Sequence, residues 1–517
     1  MLLSGTSPLN PAYFLDRAAN SFSERTAIID GERRFSYREF GERSHRLAGL
    51  LRSAGAHNGD RIAALCTNSH VMLEMHNGAP MAGCALVPMN IRLSSQEMAY
   101  ILENSGAQIL IATQEFADAA RALSSATRVR LILAGDESSE YETLLRSSPP
   151  CPTALMDEMS LLAINYTSGS TGRPKGIMYT HRGAYLQALA MAFHSRLGLD
   201  SSYLWTLPMF HCNGWCFTWA VTAAGAVHIC QRQIDPAAIW REICSGSVTH
   251  LCAAPTVLTM IAEAAAKSGS VRAGHPVRAF TGGAPPTPAL LARLAALNLR
   301  VTHLYGLTET YGPSVINDWQ PEWDAESETE KARLNARQGV GNVVTREITV
   351  IDPEGKEVPS DGETLGEIAI RGNNVTIGYY CDDAATSAAV SGEWFRTGDL
   401  GVRFPDGYIE LRDRAKDIII TGGENIASVE IEKALAEHPA VLETVVVGRP
   451  DERWGEIPVA FVVLRQGMSA TKEELIDFVC GRIARFKAPR EIVFEELPKT
   501  STGKIQKYIL RRRFSGG

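Results

Sequence analysis

The chain has 517 residues, 45% of them hydrophobic and 21% charged, which suffices for two or three domain-sized units with buried cores and excludes a disordered or fibrous chain. Its 51 basic and 58 acidic residues leave a net charge of −7, so no overall cationic field exists to hold a nucleic-acid backbone or an anionic membrane. The ten cysteines include no C-x-x-C pair and read as reduced thiols. The opening Met1-Leu-Leu-Ser lacks the features of a signal peptide, and the longest apolar stretch, Trp215 to Cys230, is too short to cross a bilayer and reads as buried core. A cytoplasmic protein with no membrane span and no nucleic-acid partner is expected.

From about residue 10 to 410 the sequence alternates amphipathic helical stripes with short β-rich runs. Tyr37 to Ala54, with Leu47, Leu50 and Leu51 on one face, and Ser95 to Asn104 read as helices, while Arg61-Ile-Ala-Ala-Leu-Cys66 and Ala107-Gln-Ile-Leu-Ile-Ala-Thr113 read as strands. Such alternation predicts an α/β protein with largely parallel sheets. Glu322 to Gln338 carries opposite charges at helical spacing and reads as an exposed helix. Residues 347 to 410 turn strand-rich, with turns at Asp352-Pro-Glu-Gly and Pro405-Asp-Gly. Beyond the charged run Arg412 to Asp417, about 100 residues contain their own strands and helices, Ser428 to Glu437 and Lys472 to Arg485 among the latter, enough for a small second domain with a hinge near Lys416. The expected division is 1–413 and 414–517.

The segment richest in chemistry is Tyr166-Thr-Ser-Gly-Ser-Thr-Gly-Arg-Pro-Lys-Gly176, which follows the apolar run Leu161-Leu-Ala-Ile-Asn165. Bare backbone N–H groups, the hydroxyls of Thr167, Ser168, Ser170 and Thr171, and the charge of Lys175 suit phosphate oxygens, with Gly169 and Gly172 leaving room for close approach. The spacing does not fit G-x-x-x-x-G-K-[ST], and Ile177-Met-Tyr-Thr180 reads as a strand rather than the helix that motif requires.

Four further segments follow in order: Thr281-Gly-Gly-Ala-Pro-Pro286, Tyr305-Gly-Leu-Thr-Glu-Thr310, Arg396-Thr-Gly-Asp399 and Leu497-Pro-Lys-Thr-Ser-Thr-Gly-Lys504. Together with the phosphate loop they resemble the motifs of the adenylate-forming superfamily over nearly the whole chain. Met209-Phe-His-Cys-Asn-Gly-Trp215, Trp319-Gln-Pro-Glu-Trp323 and Asp417-Ile-Ile-Ile-Thr-Gly-Gly-Glu-Asn-Ile426 resemble its acyl-activating branch, which contains medium-chain, benzoate and cinnamate CoA ligases. The resemblance implies a large N-terminal domain of layered sheets and helices with a β-barrel-like portion, and a small, mobile α+β C-terminal domain.

It also implies an AMP-forming acid–thiol ligase using ATP, Mg2+ and coenzyme A. Lys504 is expected to bridge carboxylate and α-phosphate, where two anions meet and a cation must strengthen its grip in the transition state. Glu309 would hold Mg2+, with Thr308 on phosphate. Gly283, Ala284, Pro285 and Tyr305 would form the adenine walls, and Asp399 and Arg414 would contact the ribose and nucleotide. His211 is expected as a gate beside the carboxylate, with Cys212, Trp215, Gly306 and Thr310 lining the acyl pocket and Gly422 and Gly423 lining the pantetheine tunnel. Ala415 and Phe486 depart from the serine and tyrosine expected in this branch.

No acidic residue in Phe210-His-Cys-Asn-Gly214 could pair with an α-ammonium group, so an uncharged acid is expected. A medium-chain fatty acid leads, with short-chain and aromatic acids as alternatives. Transfer to an acyl carrier protein or another nucleophile in place of CoA, and a homodimer, stay open. A catalytically inert nucleotide-binding module would leave Lys504 and Glu309 without a task, and nothing in the sequence calls for an oxygen-using enzyme.

Overall fold

The computed structural model describes residues 5, 7–167, 173–269, 272–283, 286, 288–414, 417–421, 424–451, 453–499 and 505–514. Among these, the chain forms sheets of nine, six, five and five strands. The six-stranded sheet runs Arg130–Ala134, Ile109–Thr113, Arg61–Leu65, Ala85–Pro88, Leu161–Thr167 and Lys175–Thr180. Its first five strands are parallel and only the last pair is antiparallel. Short runs such as Ile109-Leu-Ile-Ala-Thr113 are buried along their whole length, as expected of parallel strands covered by helices on both faces.

In the nine-stranded sheet, Leu299–Leu307, Val277–Thr281, His250–Cys252, Ser202–Trp205, Val227–Cys230 and Thr26–Asp30 lie side by side and parallel. Antiparallel strands flank them, Gly312–Ile316 and Val340–Gly341 at one edge and Arg33–Ser36 at the other. The helices between strands start where the sequence supplies caps: Ser36 with Glu39 and Ser94 with Glu97 form reciprocal capping boxes. The apolar stretch after Trp215 is core, folding into the helix Phe217–Ala223 and the strand Val227–Cys230, with Trp219 and His228 buried.

The expected exposed helix over Glu322 to Gln338 is divided. Pro321–Ala325 forms a 3-10 turn, and Ser327 then caps a separate helix, Glu328–Ala336, by accepting from the N–H of Glu330. A second helix is shorter than its pattern suggests, ending at Cys480 where Gly481 follows, instead of continuing to Arg485.

Residues 347–414 build the barrel-like portion, an antiparallel sheet of Glu347–Ile351, Gly366–Arg371, Val390–Ser391, Trp394–Arg403 and Ile409–Arg414. Its last strand ends at Arg414. The C-terminal domain packs the helices Ser428–Ala436 and Lys472–Cys480 on a mixed sheet around Ile431, Leu435, Val446, Ala460 and Leu475. Asp413 accepts from both the N–H and the hydroxyl of Ser428, tying the end of the barrel-like sheet to the first residue of that helix.

Candidate active site

Ligands of open α/β sheets bind beyond the carboxyl ends of parallel strands, and three of the five motif segments follow such ends. The first is a hairpin. Strands Leu161–Thr167 and Lys175–Thr180 pair with Tyr166 opposite Gly176 and Thr167 opposite Lys175, so the two ends of the hydroxyl- and glycine-rich segment meet. Ser168, Gly169, Ser170, Thr171 and Gly172 lie outside the described residues. The Tyr166 hydroxyl donates to Asn104 Oδ1 at 2.6 Å, and its ring packs over Gly176, where a Cβ would come within 3.0 Å of it. The Lys175 ammonium sits 5.1 Å from the centroid of the Tyr379 ring.

The second segment follows Leu299–Leu307. A 3-10 turn, Thr308–Thr310, leads into Tyr311 at φ +55° and Gly312 at φ +87°, which reverse the chain into the strand Gly312–Ile316. The Thr310 hydroxyl accepts from the N–H of Leu307 at 2.9 Å and donates to the Gly312 carbonyl at 2.8 Å, so it closes the turn. Gly306 admits no side chain: a Cβ there would lie 2.0 Å from the Gly312 carbonyl. Thr308 and Glu309 project the other way. Glu309 Oε1 accepts from the Tyr379 hydroxyl at 2.9 Å, and Thr308 Oγ1 lies 3.6 Å from the Cys212 thiol that donates to it.

Between these segments opens a small cleft lined by Asn165, Tyr166, His211, Cys212 and Thr308 together with Pro88, Asn90 and Phe210. Two asparagines hold the segment that carries His211. Asn165 donates to the Phe210 carbonyl at 2.9 Å, and Asn68 donates to the carbonyls of Trp205 and Leu207 while accepting from the N–H of Met209 at 2.8 Å. Beyond His211 the backbone turns left-handed for five residues, Cys212, Asn213, Gly214, Trp215 and Cys216, at φ between +44° and +62°. Each non-glycine residue held this way costs about 1 kcal/mol. The turn is closed by bonds from Gly214 N–H to the His211 carbonyl at 2.8 Å and from Cys216 N–H to the Asn213 carbonyl at 3.2 Å. Burial, with the nearby Glu309 charge, pushes the Cys212 thiol up to about 12, so it stays protonated at neutral pH.

The left-handed turn aims Trp215 into the gap between the strand ends. Its indole lies 3.1 Å from where Cβ atoms would stand on Gly282 and on Gly312, and it is 7% exposed. Those two glycines are the recess in which the ring sits.

A third group assembles from three strands. The Tyr305 hydroxyl donates to Asp399 Oδ2 at 2.8 Å, and Arg414 Nε lies 3.4 Å from Asp399 Oδ1, the two residues facing each other across paired strands. Burial raises the Tyr305 hydroxyl well above the ordinary phenol value, which keeps it a donor. Gly283, exposed at φ +85°, adjoins Gly282, whereas Ala284 and Pro285 lie outside the described residues, as do Ala415, Lys416, Gly422, Gly423 and Lys504. Phe486 is exposed on the short turn Arg485–Lys487.

The structure therefore brings together Thr167, Lys175, Thr308, Glu309, His211 and Cys212, and separately Tyr305, Asp399 and Arg414. Of the residues expected in the acyl pocket, Cys212 lines the cleft, Thr310 and Gly306 shape the turn, and Trp215 packs behind the wall. Among the described residues no group of three or more His, Cys, Asp or Glu forms a self-contained metal site. A lone carboxylate with one oxygen already fixed fits an Mg2+ ion that arrives with most of its ligands on a triphosphate.

Four contributors escape a motif reading. Asn90 and Asn165 are polar residues at or after the ends of buried parallel strands, a position that itself signals ligand contact. Asn68 and Tyr379 act through tertiary pairing that no local spacing shows.

The model for AMP-binding enzymes matches residues 15–380, and that for the AMP-binding enzyme C-terminal domain matches 430–504. The acetate–CoA ligase CCL3 of Humulus lupulus is 40% identical, covering 98% of this chain and 94% of its own. The peroxisomal acetate/butyrate–CoA ligase AAE7 of Arabidopsis thaliana is 41% identical with the same coverage. Other relatives at 38–40% identity are named as 2-methylpropanoate, benzoate and trans-cinnamate CoA ligases. Among solved structures, ATP-bound MatB from Rhodopseudomonas palustris superposes with a TM-score of 0.87 at 27% identity, covering 98% of this chain and 99% of that one. The chain belongs to the AMP-binding enzyme family and is an AMP-forming acid–thiol ligase, with ATP and coenzyme A as its co-substrates and Mg2+ as its cofactor.

Proposed function

We propose that the acid is a short-chain aliphatic carboxylate with an uncharged tail. Its oxygen attacks the α-phosphate of MgATP, releasing pyrophosphate and forming acyl-AMP, and the thiol of CoA then displaces AMP to give the thioester. The observation that supports the choice of acid is Trp215, whose indole fills the recess between Gly282 and Gly312 directly after the His211-Cys212 segment of the cleft wall, where it would shorten the space for an acyl chain. The relatives named for acetate and butyrate support it, and none of the curated relatives cited above is named for a medium-chain acid, so the short-chain alternative displaces the medium-chain expectation. The cleft wall holds no carboxylate among the described residues, which disfavours an amino acid, whose ammonium would be buried unpaired.

In this reading Thr167 to Gly172, Lys175 and Thr308 grip the triphosphate, and Glu309 holds Mg2+, which when bound neutralises charge on the phosphates. Asp399, already oriented by Tyr305 and Arg414, takes the ribose hydroxyls, and Tyr305 with Gly283, Ala284 and Pro285 flanks the adenine. His211 stands beside the reacting carboxylate, on a segment pinned by Asn68 and Asn165. Residues 414–517 turn about Lys416, presenting Lys504 for adenylation and Gly422-Gly423 for the CoA step.

The test is pyrophosphate release from acetate, propionate, butyrate, hexanoate, octanoate, benzoate, cinnamate and glycine, each with and without CoA. The highest kcat/KM is expected within the acetate-to-butyrate group, with thioester formed only when CoA is present. Preference for octanoate or cinnamate, or robust turnover of glycine, would overturn the assignment.

A further inference from the structure

The segment 374–380 clasps two parts of the site that are far apart in sequence. On one side, Thr376 N–H donates to the Glu309 carbonyl at 2.7 Å and Asn374 Nδ2 donates to the Thr310 carbonyl at 3.3 Å. On the other, Tyr380 N–H donates to the Gly176 carbonyl at 2.7 Å, and Tyr379 faces Ile177 in an antiparallel bridge. The clasp therefore fixes the turn carrying Glu309 against the strand that begins at Lys175.

Tyr379 repeats the bridge with its side chain. Its hydroxyl donates to Glu309 Oε1 at 2.9 Å, and its ring lies 5.1 Å from the Lys175 ammonium. Unlike charges in a half-buried site normally collapse into an ion pair. Here, among the described residues, Lys175 makes no ion pair and the second Glu309 oxygen takes no hydrogen bond.

We propose that Tyr379 is a positioning residue that holds Lys175 and Glu309 apart and in register, so that the ammonium stays free for phosphate and one carboxylate oxygen stays free for Mg2+. This rests on the roles given to Lys175 and Glu309 above. The ring face restrains the cation by cation–π attraction, and the hydroxyl stops the carboxylate from rotating toward it.

The test measures equilibrium binding of α,β-methylene-ATP against free Mg2+, alongside the Mg2+ dependence of pyrophosphate release, in Tyr379→Phe, Tyr379→His and Glu309→Gln, with melting temperatures confirming that each is folded. Tyr379→Phe keeps the ring and the backbone clasp and loses only the hydroxyl. It should raise the Mg2+ concentration for half-saturation roughly tenfold, the equivalent of one hydrogen bond to a charged group. Tyr379→His, which retains a ring and a donor, should stay near the parent. If Glu309→Gln shifts the Mg2+ curve and Tyr379→Phe does not, the positioning role is wrong while the Glu309 assignment stands. If neither shifts it, both fall.

Discussion

Trp215 holds a backbone conformation that tryptophan rarely adopts, φ +53°, within a left-handed run of five residues. Glycine takes that conformation freely. Replacing Trp215 with Gly would therefore relieve about 1 kcal/mol of strain, while loss of a buried indole costs about 3 to 5 kcal/mol. Lost packing wins, and Trp215→Gly should melt lower than the parent yet remain folded. It should also deepen the cleft, shifting the best acid from acetate or butyrate toward hexanoate and octanoate, with KM for acetate rising. An unchanged chain-length profile in a folded variant would show that Trp215 is ordinary core. The residue was legible as a pocket candidate because it lies in a motif. Its left-handed backbone and the glycine recess around it were not, because both depend on where Gly282 and Gly312 arrive from other strands.

At the level of elements, the apolar stripe of the helix Tyr37–Ser53 shows which face is buried, but neither it nor the helix His70–Met81, which is buried on all sides, gives a hint of the ion network that joins them to neighbouring elements. Arg43 pairs with Glu74 at 2.5 Å and Glu142 at 2.9 Å, and the Tyr141 hydroxyl donates to Glu74 at 2.6 Å. His70 Nδ1 meets Asp30 at 2.6 Å, and Arg232 grips the same carboxylate through two nitrogens at 3.0 and 2.9 Å. In a sequence, Arg43 and Glu74 look like ordinary surface charges; only packing of both helices against Glu140–Ser147 buries them. Burial alone would raise the Asp30 carboxyl, yet His70 and Arg232 overrule it and hold it far below the carboxylate range. The carboxylates of Asp30, which accepts from His70 Nδ1, and of nearby Glu142 keep His70 above its ordinary value despite its burial. A depressed carboxylate contributes stability at pH above about 4 that is lost as the pH falls through its folded value. Asp30→Asn should accordingly cost about 3 kcal/mol at neutral pH, as expected when one partner of a buried charge pair is removed, read as a lower urea midpoint with unchanged slope. The difference from the parent should shrink toward pH 3; equal midpoints at neutral pH would mean the network contributes nothing.

Across the whole molecule, the order of five motifs along the chain sufficed to anticipate the family, because each motif is a short run whose residue types and spacing are readable without the fold. The meeting of the segments after Leu161–Thr167 and Leu299–Leu307 at one cleft was implied only by the parallel-sheet pattern, which collects loops at the carboxyl ends of strands. Least legible was the state of the histidines, since a histidine in an apolar run reads alike whether it is charged or neutral. Four are neutral by burial: desolvation lowers His76, His181 and His250 to about 4 and His228 to about 3. His228 shows why, as its Nδ1 accepts from the Trp205 indole at 3.1 Å and a proton there would break that bond. For such groups the unfolded chain binds protons below about pH 6.5 while the folded one resists until near 4, so each removes about 1.4 kcal/mol of stability per pH unit across that window. His45 and His70 are shifted upward by Asp16 and Asp30, so their contribution is complete below pH 6.5 and is lost only as the pH rises through their folded values. The two groups of histidines together place maximum stability near neutrality with a steep acid limb. Melting temperature measured from pH 8 to 4 should fall sharply below about 6, and a flat profile down to pH 5 would contradict the burial argument. His181, whose ring nitrogens find no partner among the described residues, offers the sharper comparison. Its replacement by Leu removes a proton-binding site without removing a hydrogen bond, so His181→Leu should melt at or above the parent at pH 5 and show a shallower acid limb.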